Sequence, residues 1–141
     1  MTQPLIITEK TADYLFFSNK VQGWITLLYE NQKPLQGLAG LFDWRMKGQI
    51  SYFLKKKSYF GKEGELIYLP FTQSHVIHHL FLIGQSDKAP ETLLPQVLLK
   101  TQKLNLRSIG VSKNDFKSLT EGWLNQNLLP HLKGVSLWIS H

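Results

Sequence analysis

Between positions 38 and 57 apolar residues recur three and four apart, the longest stretch of helical rhythm in the chain. Phe42, Met46, Ile50, Phe53 and Leu54 fall on one face, with Asp43, Lys47, Ser51 and Lys55 in a polar stripe beside it. The spacing predicts one helix over 38–57. Gly48 lies inside it at a cost of about 1 kcal/mol relative to Ala, which a close approach to a neighbouring backbone would explain. Lys55, Lys56 and Lys57 oppose the negative pole of the helix dipole. Gly61 and Gly64 mark the turn that follows.

Shorter runs flank this helix. Residues 4–8 (PLIIT) and 24–30 (WITLLYE) predict strands, whereas 11–17 suits a helical turn or a strand equally. Residues 65–69 (ELIYL) and 76–83 (VIHHLFLI) predict two more strands, the second apolar enough to be central. A helix over 91–104 carries Pro95 in its first turn or at a kink. Residues 108–111 predict a strand, 115–129 a helix opened near Asn114, and 135–139 (VSLWI) a closing strand. Helices alternating with strands give an α/β fold, a three-layer α/β/α sandwich on a mixed sheet. Neither a repeat nor a linker divides the 141 residues, so one domain over 1–141 is expected.

Charge changes the picture locally. The formal net charge is +6, and residues 38–62 hold six basic side chains (Arg45, Lys47, Lys55, Lys56, Lys57, Lys62) against the single acid Asp43. Such a face attracts nucleic acid, anionic lipid or an acidic partner, or is a solvated helix end. With no cysteine in the chain, disulfides, zinc–thiolate sites and a cysteine nucleophile are excluded. The first residues lack a signal-peptide pattern and no apolar run approaches a membrane span, so a cytoplasmic protein without a membrane partner is expected.

Candidate chemistry is sparse. His78 and His79 must point to opposite faces of a strand, and His75 lies too far from His79 to share a metal, so these read as surface or strand-edge imidazoles. Asp43 suits the dipole of an early helical turn, or else orients Arg45 or holds a ligand. Gly37-Leu-Ala-Gly40 reads as a tight entry turn and, more weakly, as backbone N–H groups for an anion. No nucleophile elbow or strict phosphate loop occurs. Tyr52, Tyr59 and Phe60 beside the lysines supply rings for single-strand stacking.

The stretch PLQGLAGLFDWRMKGQISYFLKKKSYFGKEGELIYLP, followed by HHLFLIGQ, resembles the N-terminal domain of the leucyl aminopeptidases. Asp43, Gly48, Ile50, Ser51, Leu54, Gly61, Lys62, Gly64, Glu65, Pro70 and Gly84 occupy the places of that family's pattern. About a third of the chain carries the resemblance well and the rest loosely. It implies a macro-domain-like sandwich, in the stand-alone form found in some bacteria. The family's two-metal site and its N-T-D-A-E-G-R type motif belong to a separate catalytic domain, so the resemblance transfers no catalytic residue, no metal ligand and no cofactor. In the full-length enzymes this domain helps hexamer assembly, and in some bacterial members it is linked with DNA binding.

The resulting expectation is a non-catalytic binding, regulatory or assembly module, acting through a protein partner or self-association. Two alternatives stay open. One is a nucleic-acid-binding protein using Arg45, Lys47, Lys55, Lys56, Lys57 and Lys62. The other is a nucleotide or ADP-ribose binder at the C-terminal edge of the sheet, with no binding residue assigned.

Overall fold

The computed structural model describes residues 5–28, 35, 37–59, 62, 65–73, 75–84, 90–113, 115–116 and 119–140. In chain order these form β1 (Leu5–Ile7), α1 (Ala12–Phe17), β2 (Gly23–Leu28), α2 (Gly37–Arg45) and α3 (Gln49–Lys56). Then come β3 (Leu66–Gln73), β4 (Val76–Gly84), a 3-10 turn (Pro90–Leu93) running into α4 (Leu94–Lys103), and β5 (Ser108–Ser112). α5 (Glu121–Asn127), a second 3-10 turn (Leu129–His131) and β6 (Ser136–Ser140) complete them.

The strands make one sheet in the order β1-β6-β5-β2-β4-β3, parallel except for β3, which is antiparallel to β4. Strand β2 is buried at all six positions because helices cover both faces of the sheet. Its alternation assigns the two cores. Trp24 and Leu28 join Leu80 and Leu82 of β4 beneath α1, α2 and α3, while Ile25 and Leu27 join Phe81 and Ile83 beneath α4 and α5. The mixed sheet between two helical layers is the α/β/α sandwich expected, and β4 is internal, next to the β3 edge.

The expected helix over 38–57 is two helices. Its apolar face is right: Phe42, Met46, Ile50 and Leu54 are buried and Phe53 packs against them. The break comes from the backbone at Lys47 and Gly48, both left-handed at φ 57° and 80°. The Gly48 N–H donates to the Asp43 carbonyl at 2.8 Å, closing α2 with the wide turn of a Schellman end. A Cβ on Gly48 would meet nothing within 4 Å, so its conformation, not a close approach, explains the glycine. Asp43 then serves the next helix: its carboxylate accepts from the Ser51 N–H at 2.9 Å and from the Ser51 hydroxyl. An N-terminal orphan amide of α3, whose N-cap is a glycine without a side chain, is thereby satisfied from the preceding helix.

A second correction falls at 115–129. Among the described residues of that segment only Glu121–Asn127 is α-helical, capped by Thr120, whose hydroxyl accepts from the Trp123 N–H at 3.2 Å. Asp115 is drawn instead onto the C-terminal end of β2; Asn114 lies outside the described residues, as do Tyr29, Glu30, Phe60, Gly61 and Gly64. The ambiguous 11–17 is helical, and Pro95 sits in the first turn of α4. Among the described residues no helix is long and apolar enough to cross a membrane.

Candidate functional site

Helix α1 opens on Thr11, whose hydroxyl accepts from the Tyr14 N–H at 3.2 Å. It buries Ala12, Leu15 and Phe16 and leaves Asp13, Tyr14 and Phe17 toward solvent. Helix α2 buries Leu38, Ala39 and Phe42 and ends on Trp44 and Arg45. Arg45 joins the two helices: Nε and Nη2 donate to the two carboxylate oxygens of Asp13 at 3.0 and 2.8 Å. This two-point contact fixes the plane of the guanidinium, which lies 4.7 Å from the Trp44 ring centre and 5.5 Å from that of Phe17. The ammonium groups of Lys10 and Lys20 stand 5.0 and 5.9 Å from the Tyr14 ring centre.

Trp44 is 70% exposed, Tyr14 48% and Phe17 46%. A single exposed ring needs no explanation; three rings and a pinned guanidinium on two touching helices form a patch. The sequence rhythm hides it, because Trp44 and Arg45 lie off the apolar face and Asp13 is 32 residues from its partner. The available signal is the Trp44-Arg45 pair itself, two residue types enriched where proteins bind one another.

The six basic residues named from sequence are all exposed. Arg45 is committed to Asp13, and Lys47 sits in the turn between α2 and α3. Lys55 and Lys56 end α3 and Lys57 caps it, about 12 Å along the helix axis from its start. Tyr52 shares the face of Lys55 and Lys56, three and four residues on, whereas Tyr59 packs against Phe53 at 6.2 Å between ring centres.

At the C-terminal edge of the sheet Asp115 is 7% exposed. Its carboxylate accepts from the Thr26 hydroxyl at 2.7 Å and from the backbone N–H groups of Leu38 and Leu27. Burial pushes its pKa above the ordinary 3.8, and those hydrogen bonds offset part of the rise. A Cβ on Gly37 would lie 2.9 Å from Asp115 Oδ1, so glycine admits the carboxylate to the opening of α2. The acceptor at the opening of α2 is thus the chain's own Asp115 carboxyl group.

His78 is not a surface imidazole. It is 1% exposed, with ring centres of Phe16 and Phe71 at 4.6 and 5.4 Å, because its side of β4 faces the core under α1. Its Nδ1 has no hydrogen-bond partner among the described residues, and burial, then the neighbouring His79, lowers its pKa. His79 points to the other face, as expected, and its Nδ1 lies 2.5 Å from the Tyr68 hydroxyl. Among the described residues no three His, Asp or Glu side chains gather as metal ligands.

No protein-family model matches the chain, and no curated protein matches it. Solved structures do. The macrodomain of Thermus aquaticus DarG superposes with a TM-score of 0.64 over 97% of both chains at 12% identity. The fold is that of a macrodomain. A tomato leucine aminopeptidase mutant matches 99% of this chain with a TM-score of 0.65 at 13% identity. The matching part is the N-terminal-like domain of that enzyme, and this chain spans 32% of its length. The likeness expected from 34–70 therefore holds at the level of the macrodomain fold.

Proposed function

We propose that this chain is a non-catalytic binding module that docks an acidic protein partner on the α1–α2 surface. The observation that carries the reading is Arg45, held by Asp13 between Trp44 and Phe17. A guanidinium fixed before binding loses little rotamer freedom on association, and exposed Trp, Tyr and Arg are the residue types that dominate interface energies. Lys10, Lys20, Arg45 and Lys47 against Glu9, Asp13 and Asp43 leave these helices and their flanks a small positive excess, which suits an acidic partner. Self-association through the same patch would oppose like charges across a two-fold axis.

Comparison of the wild type with Trp44→Ala/Arg45→Ala as baits tests this. A partner held by the wild type, and bound by the purified variant at least about 30-fold more weakly, is expected, since hot-spot truncations cost ~2 kcal/mol or more. Equal retention by both baits would sink the reading.

Nucleic-acid binding is the second reading, favoured by Tyr52 on the face of Lys55 and Lys56. It predicts salt-sensitive binding of a labelled DNA and RNA pool, lost in Lys55→Glu/Lys56→Glu. Binding that is insensitive to salt, or kept by that variant, would remove it. The nucleotide reading ranks below both, because Asp115 already supplies a carboxylate at the opening of α2.

A further inference from the structure

We infer that a cleft at the N-terminal end of β5 and β6 binds a small ligand bearing a phosphate or carboxylate oxyanion. The cleft is open to solvent on one side and has a volume of about 400 Å³, within the size range of small-molecule sites. Arg107 and Lys133 supply two cations to its lining, Gln102 and Asn105 two amides, and Leu106 and Val135 an apolar floor continuous with the core. No acid lines it among the described residues, and the ion pair found among them, Arg45–Asp13, involves neither cation.

Register places the two cations together. β5 and β6 run parallel with Ser108 opposite Ser136, so Arg107 and Lys133 both leave the sheet at the same end. The backbone there is held in place. The Arg107 N–H donates to the Gln22 side-chain oxygen at 2.6 Å, and the Arg107 carbonyl accepts from the Ser136 N–H at 2.8 Å. The Gln102 amide donates to the His131 carbonyl at 2.6 Å, tying the end of α4 to the second 3-10 turn. Last-turn carbonyls of α4 at Thr101 and Gln102 are met by the N–H groups of Leu104 and Asn105. What is left facing the cleft is positive charge on a fixed frame over an apolar floor. Two cations lining one cleft favour a doubly charged oxyanion, which can take a two-point contact from Arg107.

The site is separate from the α1–α2 surface, and its test does not depend on that surface. Amide-resolved NMR titrations of the whole chain with inorganic phosphate and with citrate, at low ionic strength, read it directly. Saturable shifts confined to 102–107 and 133–135 are expected. Arg107→Gln and Lys133→Gln, both at exposed positions, should each weaken binding about tenfold or more, while Lys55→Glu/Lys56→Glu leaves it intact. Saturation by one probe and not the other supports the site and assigns its anion class. Absence of saturation by either in the tens of millimolar, shifts centred on 55–57, or affinity unchanged in Arg107→Gln would each overturn the inference.

Discussion

Replacing Gly48 with alanine gives opposite results for a continuous helix and for the broken one. In the interior of one long helix, Gly to Ala is stabilising by about 1 kcal/mol. Here Gly48 sits at φ 80° between two helices, where an L side chain costs roughly 1–2 kcal/mol. Alanine's smaller unfolded-state entropy returns about 0.4–1 kcal/mol of that, so the net effect is a loss of about 0.5–1 kcal/mol. A Cβ there meets nothing within 4 Å, so no clash enters the figure. For 141 residues the unfolding entropy is about 0.3 kcal/mol/K, which turns that loss into a Tm fall of roughly 2–3 °C. Urea unfolding followed by far-UV circular dichroism measures the same quantity without relying on Trp44 near the substitution. Gly48→Asn should cost less, since Asn tolerates the left-handed region. A higher urea midpoint for Gly48→Ala than for wild type would refute the break between α2 and α3.

Asp43→Ala should cost about 1–2 kcal/mol, the range of a lost N-cap. An Asp43/Ser51 double-mutant cycle should show coupling, and additive singles would deny the cap. His78 has its pKa lowered from 6.5 by burial and by His79, so the stability it confers is complete above pH 6.5 and is lost as pH falls through the lowered value. His78→Phe should therefore lose less stability than wild type on acidification from pH 6.5, and parallel profiles would contradict the buried neutral imidazole. Asp115 runs the other way: with its pKa raised above 3.8, its contribution is full below 3.8 and is lost as pH rises through the raised value. Asp115→Asn should gain relative to wild type across that window, and a constant offset between the two urea series would count against it.

The α/β layering was legible because periodicity survives wherever a face is buried. Phe42, Met46, Ile50 and Leu54 keep one spacing across the break, since both helices lie on the same core, and that continuity conceals the left-handed pair at Lys47 and Gly48. Asp43 and Ser51, eight residues apart in the polar stripe, read as two solvated groups although they bond one another. Asp115 shows the complementary failure. Its sequence neighbourhood suits a helix start, but its partners Thr26 and Leu38 are 89 and 77 positions away and decide its place. The α1–α2 patch escaped for the same reason: Arg45 reads as one basic residue among six until Asp13 is brought beside it.

These long-range pairings also bear on where a ligand can act. In α/β sheets ligands generally sit at the carboxyl ends of the strands, and in this chain a buried carboxylate lies there, accepting hydrogen bonds from Thr26, Leu27 and Leu38. An anionic ligand at the opening of α2 would compete with that carboxyl group for the same donors, Thr26, Leu27 and Leu38. Displacing Asp115 would in turn leave the Thr26 hydroxyl and two backbone amides to be satisfied by the incoming group. Among the described residues, positive charge without a carboxylate partner lies elsewhere, at Arg107 and Lys133 across the opposite end of the sheet. If Asp115 is what excludes anions from the carboxyl edge, Asp115→Asn should admit inorganic phosphate there, with NMR shifts at Thr26, Leu27 and Leu38 absent from the wild type. Shifts at those residues in the wild-type chain would show that the carboxylate does not close that edge.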